Sequence, residues 1–217
     1  MIKAVIFDMD GLMINSHPLD IKAYNVALKP YGHRLTIEEY AKNAGTSDKY
    51  ACQRLVKIWD LPISAEILER HRNKAYKKIL RHIRPMRGLQ GLLKLLQDMK
   101  LKLAVASGSH KNEIKQILSN LGFLHHFTTY ISGDEVKNSK PSPEIFIHTA
   151  AKLKMNCKDC LVLEDAPKGV QAAKAANMLC YAVPSKEVKG EDFRVADRVF
   201  KNLTEVKKYI QQSYGKA

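Results

Sequence analysis

The sequence predicts an α/β protein, a parallel-sheet core carrying an inserted helical segment, and three observations support this. Short apolar, β-branched runs of strand length recur along the chain. Amphipathic helical patterns alternate with them. One long interval after residue 15 holds helical patterns and no strand.

Residues 3–7 read as a buried parallel strand, stopped by Asp8 and turned by Gly11. Four further strands are "LKLAVAS", ending at Ser107, "TTYIS" before Gly133, "CLVLED", and "LCYAV" before Pro184. Between them, Leu89, Leu92, Leu93 and Leu96 keep helical spacing, as do Ile114, Ile117, Leu118 and Leu121. Pro143 starts a helix that ends near Met155, and Pro167 suits the first turn of another. From Ser16 to about Arg81 the helical patterns break at Pro30-Tyr31-Gly32, Ala44-Gly45-Thr46 and Leu61-Pro62. We therefore expect a core of residues 1–15 and 82–217 and a helical cap of residues 16–81. Inserted directly after Asp8 and Asp10, such a cap can cover them and exclude water.

A chain of 217 residues that is 45 % hydrophobic can bury one or two cores. No apolar run is long enough to cross a membrane, and the N-terminus has no signal-peptide pattern. A cytoplasmic monomer is the expectation. Cys52, Cys157, Cys160 and Cys180 do not form a disulfide framework in a chain this long. The net charge of +14 comes from dispersed lysines, as in "KAYKKILRHIRP", without interleaved aromatics or a nucleic-acid motif. Nucleic acid is thus not an expected partner. A small phosphorylated metabolite is, because a basic surface steers anions.

Ligands of open parallel sheets bind beyond the carboxyl ends of the strands. Asp8 and Asp10 follow the first strand, and Ser107, Gly108 and Ser109 the second. Lys140 follows the third, at the head of "KPSPEIF", and Glu164 and Asp165 end the fourth. Carboxylates, a hydroxyl and an ammonium thus converge on one rim, which suits phosphoryl transfer. Asp8, Asp10 and Asp165 repel one another unless a hard cation joins them, and Mg2+ is the usual one. Ser107 and the backbone amides of a glycine-containing helix start can take phosphate oxygens. Lys140 supplies positive charge, and one aspartate can attack phosphorus as a carboxylate nucleophile.

"FDMDGLMINS", "VASGS", "KPSPEIF" and "VLEDAPKGVQAAKAANM" resemble, in order, the four motifs of the haloacid dehalogenase superfamily. The resemblance is to the branch with a helical cap after the first motif, which includes β-phosphoglucomutase and pseudouridine-5'-phosphatase. It implies a Rossmann-like core and a magnesium-dependent phosphatase acting through an aspartyl-phosphate. It also implies Asp8 as nucleophile and Asp10 as general acid/base, with the Asp10 backbone carbonyl on the metal. Ser107 and Lys140, with Gly108 and Ser109, hold phosphate. Asp165 binds the metal and Glu164 supports it.

Some positions depart from the pattern. Asn15 stands where many relatives carry aspartate, and Asn177 replaces a frequent glycine at a helix end, where asparagine tolerates the left-handed conformation. Asp20 replaces the histidine of the mutases and His110 their lysine, which weighs against a mutase. A receiver-like phosphoacceptor module is the non-enzymatic alternative. Cys157 and Cys160 lead into a strand and read as structural, His125-His126 as an exposed loop, Trp59 as cap core and Lys137 as surface. Substrate choice is expected from cap residues near Gly45-Thr46-Ser47 and from His17.

Overall fold

The computed structural model describes residues 2–79, 83–188 and 190–214. In chain order these form β1 (Ala4–Phe7), α1 (His17–Leu28), α2 (Ile37–Ala41), α3 (Asp48–Ile58), α4 (Ala65–Ile79) and α5 (Leu89–Asp98). There follow β2 (Lys102–Ser107), α6 (Lys111–Asn120), β3 (Thr129–Ser132), α7 (Glu144–Leu153) and β4 (Cys160–Glu164). The chain closes with α8 (Pro167–Ala175), β5 (Leu179–Ala182), β6 (Arg198–Val199) and α9 (Leu203–Tyr214).

The strands make one parallel sheet in the order β3-β2-β1-β4-β5-β6. β1 lies between β2 and β4 with all its residues buried, which is why it reads as an unbroken apolar run. Its side chains alternate between two cores. Val5 and Phe7 pack with Leu89, Leu92, Leu93 and Leu96 of α5 and with Ile114 and Ile117 of α6. Ala4 and Ile6 face Phe146 of α7 and Val170 of α8 on the other side. Truncating Phe7 or Phe146, both fully buried, to alanine should cost about 3–5 kcal/mol. Register matters for function: Phe7 pairs with both Val105 and Leu163, so the three central strands end nearly level. The residues after them meet at one rim.

Between residues 16 and 79 the described chain is helical and contains no strand. Thr36 Oγ1 accepts from the Glu39 amide and Ser47 Oγ from the Tyr50 amide, starting α2 and α3. Tyr24, Leu28, Leu35, Cys52, Leu55 and Leu68 form an apolar cluster of their own, with Trp59 packed against it and stacked on His33. The chain leaves and re-enters the sheet region side by side, since Met86 N donates to Met13 O at 2.8 Å and Ile14 bridges to Pro85. The expected boundary at residues 81 and 82 lies outside the described residues.

The five strands expected from the sequence are present, each within a residue or two of its quoted run. β6 is additional; two exposed residues, Arg198 and Val199, carry no apolar pattern to read. Asn177 has φ +56°, the left-handed conformation expected of it. Cys157 sits in a short 3-10 turn and Cys160 begins β4, and all four cysteines are free. His125 is exposed, and His126 Nδ1 lies 2.8 Å from Gln97 Oε1. Lys137 is exposed. Among the described residues no helix is long and apolar enough to cross a membrane.

Candidate active site

Asp8 leaves the end of β1 with its amide bonded to Leu163 O at 2.9 Å, which aims its side chain over the rim. Lys140, only 3 % exposed, bridges two carboxylates: its Nζ lies 2.6 Å from Asp8 Oδ1 and 2.6 Å from Glu164 Oε1. Burial raises the Asp8 carboxyl above the usual range; Lys140 opposes this while Glu164, Asp165 and Asp10 add to it. Burial alone would lower the Lys140 ammonium, but Asp8 and Glu164 hold it well above its ordinary value. Glu164 uses its second oxygen to accept from the amides of Asp165 and Ala166, at 2.9 and 3.0 Å.

Asp10 has different partners. Its Oδ2 accepts from Ser107 Oγ at 3.0 Å and Ser109 Oγ at 2.8 Å, while Ser107 Oγ accepts from the Ser109 amide at 3.1 Å. Directly after Asp10 the chain bends through Gly11 at φ +86°, where a Cβ would collide with Asp165 Oδ2 and with His17. Gly108 comes just as close to a neighbour: a Cβ there would strike the Thr46 carbonyl, across the seam between sheet and helices.

Asp165 is 1 % exposed, and among the described residues its Oδ2 has no hydrogen-bond partner. Ligand atoms of Asp8, Glu164 and Asp165 lie within 4.8 Å of one another. A buried, unpaired carboxylate oxygen in an acidic cluster fits a hard divalent cation, whose ligands are oxygens. Burial lifts the Asp165 carboxyl to about 7, with His17 opposing and Glu164 adding to the rise. His17 Nε2 stands 3.7 Å from Asp165 Oδ2, and its Nδ1 lies 3.2 Å from Ser185 Oγ and 3.6 Å from Glu187 Oε2. Burial would lower this imidazole, yet Glu187, Asp165 and Asp10 raise it to about 9.

The residues expected from the sequence therefore converge on one rim. His17, Gly45 and Thr46 also line its cavity, whereas Ser47 faces an adjoining hollow. Sequence reasoning missed Arg72 and Asp48 in the same wall. Arg72 did carry a signal: Leu68, Arg72, Ala75 and Tyr76 share one buried stripe of α4, where an arginine is out of place. The cavity measures ≈ 50 Å³, room for a few waters and too small for a phosphomonoester.

Residues 5–183 match the family described as haloacid dehalogenase-like hydrolase. A probable pseudouridine-5'-phosphatase of Drosophila melanogaster is 32 % identical over 208 residues, covering 93 % of this chain and 90 % of that protein. A phosphorylated carbohydrates phosphatase of Thermotoga maritima is 28 % identical over 177 residues, covering 81 % of this chain and 82 % of its own. The crystal structure of a β-phosphoglucomutase from Clostridium difficile superposes with TM-score 0.88 at 26 % identity, covering 99 % of this chain and 98 % of that one. The chain belongs to the haloacid dehalogenase-like hydrolases and is an enzyme of their phosphatase type.

Proposed function

We propose that this enzyme hydrolyses a small phosphomonoester, a sugar, polyol or nucleoside phosphate, through an aspartyl-phosphate on Asp8. The observation that carries the reading is the split between the two aspartates. Asp8 is clamped by a buried ammonium beside an acidic cluster, while Asp10, two residues on, is hydrogen-bonded to the hydroxyls of Ser107 and Ser109. Asp8 is placed to attack and Asp10 to handle the proton.

In the first half-reaction an Asp8 oxygen bonds to phosphorus and the bond from phosphorus to the leaving oxygen breaks. Asp10 gives its proton to that oxygen. In the second, water attacks the same phosphorus, Asp10 takes a proton from it, and the Asp8–phosphorus bond breaks, releasing inorganic phosphate and restoring both aspartates. Ser107, the Gly108 and Ser109 backbone and Lys140 hold the phosphoryl oxygens. Asp8, Asp165 and the Asp10 backbone carbonyl would hold Mg2+, with Glu164 supporting them; bound there, the ion neutralises charge on the transferring group. Both Glu164 oxygens are already engaged by Lys140 and backbone amides, so its share is to orient Lys140 and the loop.

The helices of residues 16–81 act as the cap. With a cavity of ≈ 50 Å³, the substrate must enter with the cap displaced, and reclosure then keeps water out. Rapid quench with a 32P-labelled aryl phosphate tests the reading. Label trapped on Asp8 and release of inorganic phosphate are expected; hydrolysis undiminished in Asp8→Asn would overturn it. Mutase chemistry is the second reading, favoured by the β-phosphoglucomutase likeness. Asp20, where the mutases have histidine, weighs against it.

A further inference from the structure

One wall of the cavity that Asp8 lines is built around Arg72, which is 2 % exposed. Its Nε donates to Asp20 Oδ1 at 2.8 Å and its Nη2 lies 2.6 Å from the same oxygen. Its Nη1 donates to Asp48 Oδ2 at 2.9 Å and to Asn73 Oδ1 at 2.8 Å, with Glu113 Oε2 at 3.8 Å. The guanidinium carbon stands 4.3 Å from the centre of the Tyr76 ring and 5.6 Å from that of Tyr24. Edge and face are thus both occupied. A guanidinium binds a phosphate through its two-pronged edge, and here that edge is spent on carboxylates.

Charge points the same way. Asp20 and Asp48 share a single guanidinium, so above about pH 7, where Asp48 is ionised, this wall carries more negative than positive groups. The other base lining the cavity, His17, is held between Asp165 and Glu187. Arg72 bonds Asp20 through Oδ1 and Asp48 through Oδ2, which leaves Asp20 Oδ2 and Asp48 Oδ1 outside these pairs, and both residues line the cavity with Asn43, Tyr24 and Tyr40. These are acceptors for hydroxyl groups. They are repellent to a second phosphate.

We infer that the Asp20–Arg72–Asp48 wall selects phosphomonoesters whose leaving group is an uncharged polyhydroxyl and rejects substrates bearing a second anionic group. This rests on the phosphatase reading above and narrows it. It also bears on mutase chemistry, since moving a phosphoryl group between two hydroxyls of one sugar passes through a bisphosphate that this wall would have to accommodate.

The test measures phosphate release by the 217-residue chain with Mg2+ at pH 8.5, where Asp48 is ionised, from p-nitrophenyl phosphate, fructose 1-phosphate and fructose 1,6-bisphosphate. Like-charge contact should give the monophosphate at least about a tenfold advantage in kcat/KM. A smaller advantage, or a preference for the bisphosphate, overturns the inference while hydrolysis of p-nitrophenyl phosphate leaves the phosphatase reading standing. Hydrolysis of none of the three overturns both. In Asp48→Asn, which removes one charge and keeps the shape, the bisphosphate-to-monophosphate ratio should rise by about tenfold, and Asp48→Glu should keep the wild-type ratio. An unchanged ratio in a folded Asp48→Asn protein also counts against the wall. If that variant does not fold, the wild-type ratio decides.

Discussion

The Lys140 ammonium lies 2.6 Å from Asp8 Oδ1 and is buried there, touching Glu164 on its other side. Two carboxylates thus depend on one cation. Removing that cation strands both in a dry site, and breaking a buried pair from one side typically costs about 3–5 kcal/mol. Lys140→Met should lower stability by about that much in urea unfolding, as well as eliminating phosphate release. Full stability in that variant would mean that Asp8 and Glu164 do not rely on the lysine.

Asp8 and Asp10 should differ in kind. Asp8→Asn should eliminate turnover of every substrate, because an amide cannot form the acyl phosphate. Asp10→Asn keeps the phosphate site but loses the proton relay, typically worth about 10²–10⁴-fold. The first step should suffer less with p-nitrophenyl phosphate, whose phenolate leaves without a proton. Comparing burst and steady-state rates for aryl and sugar phosphates reads this directly; equal loss on both substrates in the first step would remove Asp10 from the leaving-group role.

Most of the rim was legible in the sequence because strand ends are marked twice, by the stop of an apolar run and by the first polar residue after it. Asp8, Ser107 and Glu164 are such residues, and parallel register brings them level. The cap wall was harder to read. Asp20 and Arg72 lie 52 positions apart on α1 and α4, and only helix packing makes them neighbours. Their sole local trace is a charge on a buried stripe, which a helical pattern treats as noise. β6 left no trace, being two exposed residues whose pairing is decided by the neighbouring β5.

Gly108 links this rim to the cap. A Cβ at 108 would strike the Thr46 carbonyl, so Gly108→Ala should prevent the helices from seating on the sheet domain. The backbone at 108 is not left-handed, and the fold should tolerate alanine. The expected result is a loss of at least about tenfold in kcat/KM, since a site left open to water loses positioning and exclusion, with a melting temperature close to wild type. Activity at the wild-type level would show that closure does not use this contact.

Stability without the metal should depend on pH. In protein stripped of divalent metal with EDTA, the folded pKa is about 7 for Asp165 and Asp48, about 8 for Glu113 and about 9 for His17, each above its ordinary value. The carboxyls are raised by burial, which outweighs the neighbouring cations; the imidazole is raised by Glu187, Asp165 and Asp10 against burial. In every case the folded state binds protons that the unfolded chain has already released, so stability must fall as pH rises through this window. For the carboxyls the loss starts above the ordinary carboxylate range and is complete once pH passes 7 to 8; for His17 it runs from 6.5 to about 9. A chain of this size loses about 2–4 °C per kcal/mol, so the melting temperature should drop by at least about 5 °C between pH 6 and pH 9 at constant ionic strength. Mg2+ binds the deprotonated carboxylates, and its stabilising effect should therefore be larger at pH 8 than at pH 6. A melting temperature that rises with pH in EDTA would contradict the buried, uncompensated acids of the site. A magnesium effect independent of pH would place the ion somewhere other than on Asp165.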